Sequence, residues 1–228
     1  VAMDKDVAKR LLRDAGIAVA LWVTLRRGDA VDLDVIGKKL GWPVFVKPAR
    51  LGSSVGVSKA RNPVELEAAL ELAFRYDTKI LIEEFIPGDE VECSVLGNDE
   101  PQASVVGKVI PRHEFYSYEA KYLDPEGAAL EIPAKIPDAV AQEVRQVSMQ
   151  VFQTLDLAGF ARVDSRIRNG TEIIVNEANT IPGFTNISMY PKLWEAAGLS
   201  YRDLITRLIE LAMERFADRQ KLQTTYQR

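Results

Sequence analysis

The stretch FARVDSRIRNGTEIIVNEAN, residues 160–179, restricts the fold more than any other part of the chain. It reads as two strand-like runs joined by Asn169-Gly170, a pair suited to a type I′ turn because both central positions need positive φ. A two-residue turn sets a register in which Arg168 pairs with Thr171, Arg162 with Glu177, and Asp164 with Val175. Alternate side chains share a face of a strand. Arg162, Asp164, Glu177 and Asn179 therefore fall on one face, with Asn176 and Ala178 on the other. Two carboxylates and an amide suit Mg²⁺, which takes a few protein oxygens and fills its remaining positions from phosphate and water. The same pattern also describes a solvated charged face on which Arg162 pairs with Glu177, and a bulge in either strand would change the alignment. The hairpin runs into TIPG, where a Pro-Gly turn brings backbone N–H groups close to whatever that face holds, as a site of developing negative charge requires.

Composition narrows the functional classes. A net charge of −4 over 228 residues gives no global basic field to recruit nucleic acid or anionic lipid, so an anionic ligand needs locally placed Lys and Arg. Apolar runs are too short and interrupted for a spanning helix, and VAMDKDVAKR lacks a signal-peptide core, which predicts a cytosolic protein with no membrane partner. One Cys and one His exclude a disulfide within the chain and a Cys- or His-rich metal site. A bound metal would be a hard cation on oxygen.

Along the chain, Asp4 caps a predicted helix through KDVAKRLLRDAG that Gly16 ends. PVFVKPA (43–49) reads as a strand. Asn62, Pro63 and Glu65 supply a cap, a first-turn proline and an N3 acid for a helix to about Tyr76. KILIEEFI (79–86) reads as a buried strand, Pro87-Gly88 as a turn and EVECSVLG as an alternating strand. The chain thus divides into units at 1–86 and 87–228. A loop rich in aromatic and charged residues precedes a helix from about Asp138 to Leu155, and Ser200 caps a closing helix.

KPARLGSSVGVS places a lysine at a strand end, followed by a Gly/Ser loop able to approach phosphate through backbone N–H groups and hydroxyls. It is not a Walker A loop, because no Gly-Lys-Ser/Thr follows at the required spacing. By itself such a loop is more often a plain connection.

Taken together, FVKPARLGSSVGVSK, ILIEEFIPGDEVE, FYSYEAKYL, ARVDSR and VNEANTIPGFTNISMYP resemble, in order and spacing, the ATP-grasp family and within it the D-alanine:D-alanine ligases. The resemblance spans essentially the whole chain. It implies an α+β fold of two subdomains with nucleotide between antiparallel sheets, and a homodimer. The implied reaction transfers the γ-phosphate of ATP to one D-alanine, whose acyl phosphate a second D-alanine then attacks, giving D-alanyl-D-alanine for peptidoglycan.

On matching positions, the resemblance assigns Asp164, Glu177 and Asn179 to two Mg²⁺ ions, with Mn²⁺ as a substitute. Lys5 and Lys47 resemble the phosphate-binding lysines, with Ser54 in the phosphate loop, and Lys121 resembles the lysine that follows the transferred phosphate. Glu83 through its neighbouring backbone, Phe85 beside adenine and Glu90 on the ribose would hold the nucleoside. Arg162 and the N–H of Gly183 would stabilise the oxyanion. Ser53 with Tyr122 would position the first D-alanine, Ser188 would take the second carboxylate, and EFYSYEAKYL would close as a lid.

Each assignment has a plainer reading: Lys5 as a solvated helix residue, Lys121 and Tyr122 as an exposed loop pair, Ser53 and Ser54 as turn residues, and Phe115, Tyr116 and Tyr118 as packing. His113 reads as a surface residue and Cys93 as core filler. Relatives of this kind carry a further α/β domain ahead of the MDK helix, which the chain is expected to lack. Competing functions are a depsipeptide ligase using D-lactate, against which Tyr122 argues; another ATP-grasp carboxylate-amine ligase, against which GFTNIS with Ser188 argues; and a nucleotide-binding module without catalysis.

Overall fold

The side chains of Asp4, Asn62 and Ser200 cap the starts of three helices as the sequence predicts. The computed structural model of the chain describes residues 1–111, 128–185 and 187–223. Helix α1 (Lys5–Asp14) starts where the Asp4 side chain accepts from the Val7 N–H, and Gly16 follows it at φ +77°. Strand β1 (Trp22–Arg26) and helix α2 (Leu33–Leu40) come next. After β2 (Val44–Pro48) and β3 (Ser58–Ala60), Asn62 caps α3 (Pro63–Tyr76) through the Glu65 N–H, and β4 (Lys79–Glu84) follows. These strands form an antiparallel sheet in the order β1-β4-β2-β3. Its apolar face (Val44, Val46, Ile80, Ile82) is covered by Leu66 and Leu70 of α3 and Ile36 and Leu40 of α2.

The second sheet has the order β7-β6-β5-β8-β9, all pairs antiparallel. Its strands are β5 (Asp89–Gly97), β6 (Gln102–Pro111), β7 (Ala128–Glu131), β8 (Gly159–Arg168) and β9 (Glu172–Asn179). Helix α4 (Asp138–Thr154) covers one face, and α5 (Met189–Ala196) and α6 (Tyr201–Gln220), the latter capped by Ser200, pack on the other. The alternation in EVECSVLG sorts the faces: Val91, Cys93 and Val95 join the cores beneath α4, while Leu96 meets Tyr190 and Trp194. Glu90 and Glu92, on the same face as Leu96, lie beyond the cover of α5.

Helix α1 belongs to both halves. Ala8 and Leu12 enter the core formed by α4, β8 and β9, while Asp6 accepts from Trp22 Nε1 at 3.0 Å and from Thr24 Oγ1 at 2.7 Å on β1. It thereby carries Lys5 and Lys9 to the seam between the sheets.

The β8–β9 hairpin differs from the expected register. Asn169 and Gly170 adopt positive φ as predicted, at +54° and +79°, but Arg168 pairs with Glu172 rather than Thr171. A second offset follows between Asp164 and Ser165, where Asn176 is an extra residue. Arg162 therefore stands opposite Asn179, not Glu177, and Asp164 opposite Glu177, not Val175. One slipped residue moves a strand's side chains to the other face, and a second moves them back. The expected face survives although both expected pairings fail.

Candidate active site

The seam between the sheets opens as a cleft lined from both of them. The loop after β2 forms its roof, with Ser53 and Ser54 at φ +54° and +58° and Gly56 at +69°. Left-handed conformations are sparsely populated for serine and concentrate at sites where the backbone must meet a ligand. Beneath the loop, Lys5 Nζ donates to the Leu51 carbonyl at 2.7 Å and lies 3.1 Å from Glu177.

Lys47 and Glu83 share the cleft face of the first sheet, because Val44, Val46, Ile80 and Ile82 take the other. Lys47 Nζ lies 2.6 Å from Glu83 Oε2 and donates to Asn176 Oδ1 at 3.1 Å. Lys9, one turn along α1 from Lys5, is buried with its Nζ 3.4 Å from Glu83 Oε1. Burial alone raises the Glu83 carboxyl, and the ammonium groups of Lys47 and Lys9 overcome it and hold the group below the usual carboxylate range. On the same side the Phe45 and Phe85 rings lie 6.1 Å apart, and Lys59 Nζ stands 4.8 Å from the Phe85 centroid.

The opposite wall carries a row of acids. Glu92 of β5 stands opposite Asp164 of β8, and Asp164 opposite Glu177 of β9. Arg162 grips Asp164 with both prongs, Nε to Oδ1 at 2.7 Å and Nη2 to Oδ2 at 2.8 Å, and its Nε lies 2.9 Å from Glu92. Burial works against the charged guanidinium, but Asp164 and Glu92 outweigh it and raise its pKa above the ordinary arginine value. Asn179 Nδ2 donates to Asp164 Oδ2 at 2.9 Å, and Arg166 Nη2 to Glu90 at 2.6 Å.

Of the predicted site residues, Lys5, Lys47, Ser53, Ser54, Glu83, Phe85, Glu90, Asp164 and Glu177 all line this cleft. Arg162 and Asn179 adjoin it through Asp164. Gly183 and Ser188 form a separate cluster in the loop after β9: the Ser188 Oγ accepts from the Thr185 N–H at 3.0 Å, and a Cβ on Gly183 would meet that oxygen at 2.7 Å. Lys121, Tyr122 and the expected lid at 114–123 lie outside the described residues.

Sequence reasoning missed Lys9, Glu92 and Arg166, and it assigned Asn176 to the wrong face. The alternation of Glu90 with Glu92 and of Asp164 with Arg166 was a usable signal for two of these. Nothing local marks Lys9 as buried, or Asn176 as the bulge that turns its side chain into the cleft beside Glu177.

Chemically, the arrangement sets ammonium groups and a glycine-rich loop against carboxylates across one opening. Among the described residues no three acids converge as a ready-made metal centre. Two opposed carboxylates and an amide nevertheless fit in kind a hard cation that draws its other oxygens from a phosphorylated substrate. No described helix is long and apolar enough to cross a membrane.

Comparison with known proteins gives the family and the fold. The family model described as D-ala D-ala ligase C-terminus matches residues 11–210. A protein named D-alanine–D-alanine ligase A from Chromobacterium violaceum is 56% identical over 217 residues, covering 94% of this chain and 59% of the relative. The solved D-alanine-D-alanine ligase from Coxiella burnetii superposes with a TM-score of 0.86 at 39% identity, over 97% of this chain and 59% of that one. The Bacillus anthracis D-alanine–D-alanine ligase complexed with ATP gives 0.81 at 29% identity, over 96% and 68%. The chain thus spans about three fifths of the length of the curated relatives it matches. The two antiparallel sheets with their helices are the α+β arrangement of the ATP-grasp fold. By its sequence and its fold, the chain belongs to the D-alanine–D-alanine ligase family, whose C-terminal region it matches.

Proposed function

We propose that this chain carries the nucleotide-binding and phosphoryl-transfer part of an ATP-dependent ligase that joins two D-alanine molecules for peptidoglycan synthesis. The observation that carries this reading is the convergence of Lys5 and Lys47 with Asp164 and Glu177 in one cleft under the Ser53-Ser54 loop. ATP lies between the units 1–86 and 87–228, with adenine beside Phe85, the backbone next to Glu83 on the base and the Glu90 carboxylate on the ribose. Lys5, Lys47 and the Ser53-Ser54 loop hold the phosphates, and Lys121 follows the γ-phosphate.

Asp164, Glu177 and Asn179 would hold Mg²⁺, as two ions or as Mn²⁺ in its place, which supplies charge neutralisation at the phosphate oxygens. A carboxylate oxygen of the first D-alanine attacks the γ-phosphorus and ADP leaves. The amine nitrogen of the second then attacks the acyl carbon, the C–O bond to phosphate breaks, and the amine loses a proton. Arg162 and the Gly183 N–H face the oxyanion of that second step. Ser53 and Tyr122 position the first substrate, Ser188 takes the second carboxylate, and the 114–123 segment excludes water. The protein works in the cytoplasm as a homodimer.

The test is phosphate release from ATP and Mg²⁺ on this chain, with and without D-alanine and with D-lactate in a third reaction. D-alanine-stimulated release with dipeptide product supports the ligase. Release stimulated by D-lactate with a depsipeptide product moves the reading to the depsipeptide branch, and nucleotide binding without stimulated release reduces it to a binding module.

A further inference from the structure

Arg162 has a single Nε–H, and it points at Asp164 Oδ1 at 2.7 Å while Nη2 reaches Oδ2 at 2.8 Å. One guanidinium therefore occupies both oxygens of Asp164, and Oδ2 also receives the Asn179 amide at 2.9 Å. These three donors take most of the acceptor positions of the carboxylate, so a cation that binds through Asp164 competes with this grip for its charge. Glu92 flanks the same guanidinium. Its Oε2 lies 2.9 Å from Arg162 Nε, and it stands directly opposite Asp164 on the neighbouring strand. Only 6% of Glu92 is exposed, and a buried carboxylate needs a cation beside it, which Arg162 supplies.

We propose that Glu92 is a positioning residue that retains the Arg162 guanidinium when Asp164 turns to the cation, so that one arginine serves first as counterion of the site and then as a donor facing developing negative charge. The inference rests on the reading of Asp164 as a cation ligand given above. The movement required is small, because Nε–H has an acceptor 2.7 Å away on one side and a carboxylate oxygen 2.9 Å away on the other. The planar fork of arginine donors exchanges one carboxylate for another without leaving the wall of the cleft. Without the Glu92 charge, Arg162 has less reason to let go of Asp164 and competes with the cation.

The experiment measures the Mg²⁺ dependence of ATP binding by calorimetry, which needs no turnover, in wild type, Glu92→Gln, Glu92→Asp, Arg162→Gln and the Glu92→Gln/Arg162→Gln double variant. Glu92→Gln is expected to weaken Mg²⁺ by roughly tenfold, the scale of one charge-assisted hydrogen bond, and Glu92→Asp to restore part of the loss. In the Arg162→Gln background the Glu92→Gln change should shift Mg²⁺ affinity by less than about twofold, as expected if Glu92 acts only through Arg162. An unchanged Mg²⁺ affinity in Glu92→Gln overturns the inference. So does an equal loss in both backgrounds, which would make Glu92 a direct source of negative charge at the cation. Absence of Mg²⁺-dependent ATP binding in wild type overturns the reading of the site itself. If Glu92→Gln does not unfold cooperatively, Glu92→Asp with and without Arg162→Gln carries the comparison.

Discussion

Asp164 stands directly across the β8–β9 pair from Glu177, and the extra residue Asn176 is what puts it there. The hairpin turn displaces the register by one residue and the bulge by another, so the two carboxylates meet as neighbours on the cleft wall. Asn176 itself swings inward and accepts from Lys47 at 3.1 Å, tying the second sheet to the first. A single irregularity thus aligns the acids and links them to the lysine side of the cleft.

Glu83→Ala should destabilise the fold. It leaves Lys9 and Lys47 facing a buried space without their shared carboxylate, and removing one member of a buried ion cluster costs about 3–5 kcal/mol. Urea denaturation reads this directly. A loss below about 1 kcal/mol, the scale of an exposed pair, would mean that the two ammonium groups reach water instead.

Acid should loosen the anchor of α1. Burial pushes the Asp6 carboxyl up, but hydrogen bonds from Thr24, Trp22 and Arg10 outweigh it and hold it at about 2, against an ordinary value of 3.8. Because the folded value is the lower one, the stabilisation is present above 3.8 and drains away as pH falls through about 2. Urea midpoints measured downward from pH 5, a starting point about one unit above the ordinary carboxylate value, should fall for wild type. They should fall less for Asp6→Asn over the same interval, and parallel curves would remove Asp6 from the account.

Gly183→Ala should leave nucleotide binding intact while raising the KM for D-alanine. The new methyl meets the Ser188 hydroxyl at 2.7 Å and must push aside an oxygen that accepts from the Thr185 N–H. Ser188 is a short side chain that can turn, so the expected cost in stability is about 0.5 kcal/mol or less. Steady-state kinetics with ATP and D-alanine varied in turn, each against a saturating level of the other, separate the two effects. A raised ATP KM with unchanged D-alanine KM would detach this loop from the amino-acid site.

Much of this was legible in the sequence where the signal is local. Asn62, with Pro63 and Glu65 behind it, specifies the start of α3, and the Asn62 side chain accepts from the Glu65 N–H at 2.9 Å. Asp4 and Ser200 cap their helices in the same way, each through hydrogen bonds within a few residues. The polar and apolar alternation of β5 likewise announces its two faces. What stayed hidden depends on distant partners. Lys9 resembles any helix lysine until Glu83, far along the chain, comes to lie 3.4 Å away. Neither the extra turn residue Thr171 nor the bulge at Asn176 has a composition that distinguishes it, so the predicted pairings failed although Arg162, Asp164, Glu177 and Asn179 kept one face. Trp22–Arg26 and Leu33–Leu40 carry weak patterns, and each becomes definite only through packing on β4 and α3.

The measurement that bears most directly on the central claim is a calorimetric titration of ATP into the protein with and without Mg²⁺, repeated on Glu177→Gln. Glu177 is paired with Lys5 at a partly open position, so its loss should spare the fold. Saturable, Mg²⁺-dependent binding at one site per chain, weakened roughly tenfold or more in Glu177→Gln, is the expected result for a carboxylate that holds the cation. Binding indifferent to Mg²⁺, or unchanged in Glu177→Gln, would contradict the assignment of the Asp164–Glu177 wall to the metal.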